Sequence, residues 1–246
     1  MATTLVVPCF NEASRLDPDT FLSFAEATDA SFVFVDDGSR DDTFAVLQRM
    51  ADALPTSITT LRLERNQGKA EAVRFGMATA QEGPSEFVGF WDADLATPLS
   101  ELDALLEHFE RASRLQMVVG SRVLLMGRRI DRNPIRHYAG RVFATVVSLT
   151  LGLPIYDTQC GAKVFRNNEI TRQLFGDAFV SRWIFDVELI ARLKHAVGTG
   201  DATTMASYLV EHPLMTWTDV AGGKLKLGDF AKSVVDLARI YKRYLR

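Results

Sequence analysis

Short apolar runs alternate with helical patterns through the first half of the chain. The runs are rich in Val, Ile and Phe and predict buried strands, and between them apolar residues recur at helical spacing. This succession predicts an α/β fold with a doubly wound, mostly parallel sheet flanked by helices. The predicted strands are Thr3–Val7, Phe32–Val35, Ile58–Leu63, Phe87–Trp91 and Met117–Gly120, and the predicted helices are Pro18–Ala27, Asp41–Ala53, Lys69–Ala80 and Ser100–Ala112.

The alternation ends near Arg122. A basic loop leads into an apolar helix predicted over Tyr138–Leu151, and a mixed segment then ends in a helix over Phe185–Leu193 and a basic C-terminal helix. No stretch has the composition of a linker, so we expect a single domain over residues 1–246.

Composition narrows the classes of protein to consider. The chain has 246 residues, of which 47% are hydrophobic and 24% charged, and its net charge of −3 argues against a nucleic-acid partner. Cys9 and Cys160 are the only cysteines, which fits a reducing compartment. The first predicted strand begins at Thr3, and the longest nearly apolar stretch, Ala139–Ile155, is too short and polar to span a bilayer. We therefore expect a cytoplasmic protein without a signal peptide or transmembrane helix.

Polar motifs follow each of the first four predicted strands. Ligands of doubly wound sheets bind beyond the carboxyl ends of the strands, so these motifs are expected to meet at one edge of the sheet. The coincidence predicts a ligand site. The motifs are Pro8–Glu12, Asp36–Asp42, Asn66–Lys69 and Asp92–Asp94.

Two carboxylates, Asp92 and Asp94, follow the fourth strand. Strand alternation would place them on one face, with Ala93 pointing away. Because like charges repel, a hard divalent ion shared with a diphosphate would stabilise the pair. The alternative is a helix entry, with Thr97–Pro98 as cap and first helical position. The neighbouring polar strand ends favour the metal-binding interpretation.

The second and third motifs suit a nucleotide. Ser39 and Asp42 have the spacing of a capping box, which leaves Asp37 to accept a hydrogen bond from a nucleobase or a ribose. Gly68 permits close backbone approach, and Lys69 is expected near a helix N-terminus, where anions bind. Neither a Walker loop nor Gly-x-Gly-x-x-Gly is present, which disfavours a nicotinamide or flavin cofactor.

Further candidates lie in the second half of the chain. A basic run suits either a solvated surface or phosphate recognition, for which Arg122 is the best candidate because it follows a strand end. The polar segment Asp157–Lys163 is either a surface turn or part of the site, and Asp186 is unusual on an apolar helix. The four histidines show no pairing at ligand spacing. The basic run comprises Arg122, Arg128, Arg129, Arg132 and Arg136.

Together these motifs resemble those of the inverting family 2 glycosyltransferases, which have the Rossmann-like GT-A fold. Within that family the chain is similar to the branch of dolichyl-phosphate glucosyltransferases and polyprenyl-phosphate hexose synthases. The resemblance extends from Val6 to about Leu193. The matching segments are Val7–Glu12, Val35–Thr43, Asn66–Ala70, Asp92–Asp94, Gly120–Arg122, Asp157–Phe165 and Arg182–Leu189.

The resemblance implies roles for individual residues. Asp94 would hold Mg²⁺ or Mn²⁺ on the diphosphate, and Asp92, the second candidate ligand, would also approach the ribose. Arg122 and Lys163 would face phosphates of donor or acceptor. Ala96 stands where mannose-type relatives often have an amide, so the metal shell must be completed otherwise. The nucleotide-binding candidates are Pro8, Phe10, Asn11, Glu12, Asp37, Lys69, Asp92 and Ala93.

The implied activity is the transfer of a hexose from a nucleotide sugar to a polyprenyl or dolichyl phosphate. The expected donor is UDP-glucose, which would supply glucose, and GDP-mannose is the alternative donor. A lipid phosphate is already ionised and needs no strong base, whereas a soluble glycan or small-molecule hydroxyl acceptor would need one, with Asp157 preferred to Asp186. The alternatives of another class are a non-catalytic nucleotide-sugar binder and a nucleotidyltransferase. The latter should carry a glycine-rich basic loop after the first strand.

The resemblance also suggests an organisation of the domain. We expect a nucleotide-binding half over 1–121, an acceptor-side half over 122–228 and an amphipathic helix over 229–246. This last segment either packs on the core or lies peripherally on a membrane, with the Tyr138–Leu151 helix beside it. Its aromatic and aliphatic residues at helical spacing are Phe230, Val234, Leu237, Tyr241 and Tyr244.

Overall fold

The computed structural model describes residues 1–131, 134–199, 201–220 and 227–246, without side chains at 134–139 and 227–231. Arg132 and the side chains of Arg136, Tyr138 and Phe230 therefore lie outside the described part. The chain forms two compact units. Unit one comprises Met1–Leu95 and Gly161–Ala178, and unit two comprises Ala96–Cys160 and Phe179–Arg246. The single domain and its three functional ranges stay predictions.

The secondary structure alternates as predicted in the first half and becomes mixed afterwards. The strands are β1 (Thr3–Cys9), β2 (Ala30–Asp36), β3 (Ile58–Arg62), β4 (Phe87–Trp91), β5 (Met117–Ser121), β6 (Arg129–Asp131), β7 (Ala162–Arg166), β8 (Leu209–Pro213) and β9 (Thr216–Thr218). The helices are α1 (Pro18–Ala27), α2 (Thr43–Ala53), α3 (Lys69–Glu82), α4 (Leu102–Arg111), α5 (Pro134–Leu151), α6 (Glu169–Gly176), α7 (Phe185–Ala196), α8 (Ala202–Met205) and α9 (Leu227–Ile240), with a 3₁₀ turn at Leu99–Glu101 and a π-helical turn at Tyr241–Leu245.

Unit one is built on a sheet in the order β3-β2-β1-β4-β7. Its first four strands are parallel, and β7 runs antiparallel to β4. Helix α3 packs closely on this sheet because Gly76 has no side chain. A Cβ there would lie 2.4 Å from Val6 Cγ1 and 2.8 Å from Val35 Cγ2. The predicted mostly parallel sheet flanked by helices is confirmed.

Unit two contains two parallel strand pairs, β5 with β8 and β6 with β9. Helix α7 is buried along most of its length, from Phe185 to Leu193. None of the described helices has the length and hydropathy needed to cross a membrane.

The segment after β4 differs from two local expectations. β4 ends at Trp91, as predicted, and Asp92–Asp94 forms a turn to which strand alternation does not apply, closed by a 3.2 Å hydrogen bond from Leu95 N to Asp92 O. Leu95 has a φ of 53°, which a regular strand does not allow. The following helix begins with the 3₁₀ turn, and no side chain caps that turn, so Thr97–Pro98 does not form the helix entry considered as the alternative to a metal site.

Candidate functional site

The loops that follow β1 and β2 are hydrogen-bonded to each other. Asn11 N donates to Ser39 Oγ at 2.9 Å, and Asn11 Oδ1 accepts from Arg40 N at 2.9 Å. The predicted capping box is therefore wrong, because the β1 loop uses the Ser39 hydroxyl and Asp42 makes no side-chain cap. Asn11 reaches this position with a φ of 54°. Pro8 and Phe10 lie at the same end of β1.

Asp37 fixes the loop between β3 and α3. Its side chain is buried, and its two oxygens accept from Gln67 N at 2.7 Å and from Gly68 N at 2.8 Å. Gly38 allows this approach, since a Cβ would lie 2.6–2.7 Å from backbone atoms of Arg65 and Asn66. Asp37 thus organises the loop that carries Lys69. Its contact with a nucleobase stays a prediction.

Asp92 is held from two sides. Lys69, the first residue of α3, places its Nζ 2.5 Å from Asp92 Oδ1. A Cβ at Gly161 would lie 1.9 Å from Asp92 Oδ2, so any larger residue would displace this carboxylate from its present position. Gly161 was not among the predicted site residues. Its place in the segment Asp157–Phe165, which matches the family, was the only signal in the sequence.

Glu12 lies close enough to Asp94 for the two negative charges to interact. Burial raises the pKa of Glu12; its ion pair with Arg15 opposes that effect, and the negative charge of Asp94 raises the pKa further. Glu12 Oε2 is buried and has no hydrogen-bond partner among the described residues. Asp92 and Asp94 are partly exposed while Ala93 is buried, so the two carboxylates still point outward although the strand has ended.

This donor set fits a hard divalent cation whose shell is completed by a diphosphate. Asp94 would supply oxygen ligands, and the Glu12 oxygen without a partner marks a place where positive charge or a donor would be stabilised. Among the side chains that the structure describes, no three Asp, Glu, His or Cys groups are arranged to hold a metal ion by themselves. A metal here would therefore depend on ligands from the bound nucleotide.

Lys163 lies in the same unit, on β7 opposite Phe90 of β4. Its side chain is fully buried, and its Nζ lies 5.1 Å from the centre of the Phe90 ring. Unit one thus contains all predicted nucleotide and metal residues together with Lys163. The predicted phosphate contact of Lys163 stays a prediction.

Arg122 and Asp157, both in unit two, bind each other. Arg122 Nε and Nη2 donate to the two Asp157 oxygens at 2.6 and 2.8 Å, and Gln159 N donates to the same carboxylate at 3.0 Å. The Arg122 guanidinium also lies 5.3 Å from the Trp217 ring centre. Asp157 is therefore held by a permanent cation. Its role as a base stays an untested prediction.

Glu211 supports this pair and was missed in the sequence. Its carboxylate accepts from Tyr156 N at 2.7 Å and from Asp157 N at 2.8 Å. The pKa of Glu211 is raised, mainly by burial and also by the negative charge of Asp157. The two backbone donors act in the opposite direction. Glu211 is far from Asp157 in sequence, so no local pattern connects them.

Two histidines are paired, which their sequence spacing did not indicate. His108 Nε2 and His212 Nδ1 lie 2.9 Å apart, between α4 and β8. Burial lowers the pKa of His212 to about 4, with further lowering by the charges of His108 and Arg128. Asp186 and Glu188 are both buried, and Glu188 binds Arg192 at 2.8 Å.

Structures similar to this one define the class of fold. Glucosyl-3-phosphoglycerate synthase from Mycobacterium tuberculosis, crystallised with Mn²⁺, UDP and phosphoglyceric acid, aligns over 98% of this chain and 78% of its own, with a TM-score of 0.68 at 17% identity. The fold is that of the GT-A glycosyltransferases, as predicted.

The chain belongs to glycosyltransferase family 2, whose profile, "Glycosyl transferase family 2", matches residues 4–170. It is 30% identical to a dolichyl-phosphate β-glucosyltransferase of Trichomonas vaginalis, over 97% of this chain and 70% of the relative. It is 32% identical to the dolichyl-phosphate β-glucosyltransferase of Drosophila melanogaster, over 98% of this chain and 75% of the relative. The protein is a glycosyltransferase, and the predicted family is confirmed.

Proposed function

We propose that this enzyme transfers glucose from UDP-glucose to a polyprenyl or dolichyl phosphate, with inversion and with Mg²⁺ or Mn²⁺. The carboxylates of Glu12, Asp92 and Asp94, together with Lys69, carry the proposal. The carboxylates offer oxygen ligands for a metal ion, and Lys69 offers a positive charge for a phosphate. The names of the relatives support glucose and dolichyl phosphate. The solved synthase with Mn²⁺ and UDP supports the metal and the uridine nucleotide.

The donor would be held by unit one. Asp94, with Asp92, would bind the metal, and when bound the metal offsets the charge that develops on the leaving diphosphate. Lys69 starts α3, where its charge and the free N–H groups of the helix favour phosphate. The residues proposed to hold the nucleoside are Pro8, Phe10, Asn11, Glu12 and Asp37.

The acceptor would supply its own nucleophile. An ionised phosphate oxygen forms the bond to the anomeric carbon while the bond from that carbon to the diphosphate breaks. No side chain has to remove a proton, which agrees with an Asp157 held by Arg122. Arg122 and Lys163 are the proposed cationic contacts to the phosphates of donor or acceptor.

A transfer assay with a panel of donors tests the proposal. The protein is incubated with UDP-glucose, UDP-galactose or GDP-mannose and a short-chain, water-soluble polyprenyl phosphate, with Mg²⁺, Mn²⁺ or chelator. We expect a β-linked glucosyl phosphate and UDP in amounts that depend on the metal. A product that carries mannose would overturn the proposed donor, and activity that persists in chelator would overturn the proposed metal dependence.

The same assay separates the alternatives. Transfer only to a glycan or a small hydroxyl compound would replace the lipid phosphate as acceptor. Release of pyrophosphate with incorporation of the nucleotide would indicate a nucleotidyltransferase. Stabilisation by a nucleotide sugar without turnover on any acceptor would indicate a binder.

A further inference from the structure

Helix α5 presents an exposed apolar face in unit two. The exposed fractions of Val142, Val146 and Leu149 are 62%, 42% and 78%. Their spacing places them on one side of the helix, and no charged residue occurs from Val142 to Leu151. We call these three residues the α5 face. An exposed face of this kind, without charge, indicates a surface that is covered in the working protein.

Three hydroxyl groups in the described part of α5 donate to carbonyl groups of the helix or of the turn that follows it. Thr145 Oγ1 donates to Arg141 O at 2.9 Å, Thr150 Oγ1 to Val146 O at 2.8 Å, and Ser148 Oγ to Leu153 O at 2.6 Å. Hydroxyls that donate to nearby backbone carbonyls in this way need no water. Burying this face in hydrocarbon would therefore leave none of these three donors unsatisfied.

A second apolar surface lies in the loop after β5. Leu124, Leu125 and Met126 are exposed by 55%, 49% and 103%, and we call them the loop tip. Arg128 and Arg129 follow within three residues, and Arg129 is exposed. Apolar side chains next to a basic pair are typical of segments that enter the interface of an anionic membrane.

The C-terminal helix is a poorer candidate for the same role. It exposes Val234 and Val235, but it also carries an ion pair between the exposed Arg239 and the partly buried Asp236. The turn that follows it is joined to the core by the 3.2 Å hydrogen bond from Tyr244 to Glu188. The aspartate and this internal contact favour packing on unit two over insertion in lipid.

We propose that unit two docks on an anionic lipid surface through the α5 face and the loop tip. The absence of charge on the α5 face suits hydrocarbon, and the arginines after the loop tip suit anionic head groups. The proposal rests on the proposed function, since an enzyme that glycosylates a polyprenyl phosphate must reach an acceptor embedded in a membrane. It adds which surfaces meet that membrane.

Vesicle flotation tests the proposal with the whole protein. Vesicles of phosphatidylcholine, with or without phosphatidylserine, are mixed with the wild type and with two double variants, Val142→Asp/Leu149→Asp and Leu125→Asp/Met126→Asp. We expect binding to the anionic vesicles that weakens with salt, and a loss of about tenfold or more in each variant. Val234→Asp/Val235→Asp is the matched control, with similarly exposed residues and the same added charge, and should bind like the wild type.

Several outcomes would overturn the docking proposal. They are a wild type that does not bind anionic vesicles, surface variants that bind as well as the wild type, or a loss confined to the C-terminal control. A change of oligomeric state in the α5 variant, with vesicle binding unchanged, would assign the face to a second copy of the chain. Circular dichroism melting checks that each variant is folded.

Transfer to the water-soluble short-chain polyprenyl phosphate separates this proposal from the proposed function. The α5 and loop-tip variants should keep that activity and lose transfer to a long-chain acceptor in vesicles. If the wild type binds vesicles through these surfaces but transfers to no polyprenyl phosphate, only the proposed function fails. If the wild type transfers to the soluble acceptor but does not bind vesicles through these surfaces, only the docking proposal fails.

Discussion

The position of the Asp92 carboxylate depends on the absence of a side chain at Gly161. A Cβ at residue 161 would lie 1.9–2.6 Å from the three carboxyl atoms of Asp92, so that side chain would have to move away from Lys69. Asp92 is close to where the diphosphate is proposed to bind. Small displacements of a positioning group are costly in catalysis.

We therefore expect Gly161→Ala to lower kcat/KM for transfer by about 10²-fold. Gly176→Ala is the control in the same unit, because a Cβ there meets nothing within 4 Å. Steady-state kinetics and thermal unfolding of both variants provide the measurement. Unchanged kinetics of Gly161→Ala would show that Asp92 is not needed in this position.

The metal hypothesis is tested at Asp94. We expect Asp94→Ala to lower metal-dependent transfer by at least about 10²-fold, because the cation loses its main protein ligand. The fold should persist, since removing one carboxylate relieves repulsion with Glu12. Activity is measured against Mn²⁺ concentration, with Asp19→Ala on the exposed start of α1 as control. Full turnover of Asp94→Ala in chelator would contradict the metal hypothesis.

At the scale of elements, the sequence predicted β1, β2, β4 and β5 well because these strands are buried on both faces along most of their length. β4 is buried at all five positions, and its predicted limits are those observed. β8 was missed because every residue is only partly buried and Glu211 and His212 interrupt its apolar character. β7 was missed because it carries Lys163 and pairs with a strand some seventy residues earlier.

The candidate site was predicted in part for the same reason. Strand ends identified the motifs, but hydrogen bonds between loops decide what each polar group does. The Ser39 hydroxyl had a plausible local partner and instead accepts from Asn11, which lies in another loop. The contact of Gly161 with Asp92 and the support of Asp157 by Glu211 likewise join residues that are far apart in sequence.

The Arg122–Asp157 ion pair also joins two segments that are distant in sequence. Its contribution to folding stability and its contribution to transfer can be separated. Arg122→Ala leaves a mostly buried carboxylate without its cation, so we expect a loss of about 3–5 kcal/mol in the free energy of unfolding. The double variant Arg122→Met/Asp157→Leu should recover most of that stability, because no buried charge remains unpaired.

Transfer should stay impaired in the double variant if Arg122 also contacts phosphate. Denaturant unfolding and the Michaelis constants for donor and acceptor are measured on wild type, single and double variants. Recovery of both stability and kinetics would assign the pair a structural role alone.

At the scale of the whole molecule, the candidate residues are divided between the two units. Unit one carries the residues proposed for the nucleotide and the metal, and unit two carries Arg122, Asp157 and the proposed lipid-docking surfaces. Unit two also holds His212, whose pKa is the only one among the described imidazoles that is lowered as far as about 4. Acid should therefore weaken the protein through unit two.

The sign follows from the His212 pKa of about 4, which lies below the ordinary value near 6.5. Between these two pH values the unfolded chain binds more protons than the folded one, so stability falls as pH is lowered through this window. The paired His108, whose pKa is lowered by burial and by Arg111, adds in the same direction. We expect His212 to account for on the order of 1–2 kcal/mol between pH 7 and 4, a figure reduced for the partial exposure of the ring.

Denaturant unfolding at pH 7 and at pH 4.5 tests this. The difference in unfolding free energy between the two pH values should shrink in His212→Gln and stay at the wild-type size in the control His195→Gln. Glutamine can still form a hydrogen bond to His108. A general loss of packing would lower stability equally at both pH values, whereas the loss of the imidazole changes the difference between them. An unchanged pH difference in His212→Gln would place the acid sensitivity elsewhere, with the carboxylate ion pairs such as Arg122–Asp157 as the next groups to examine.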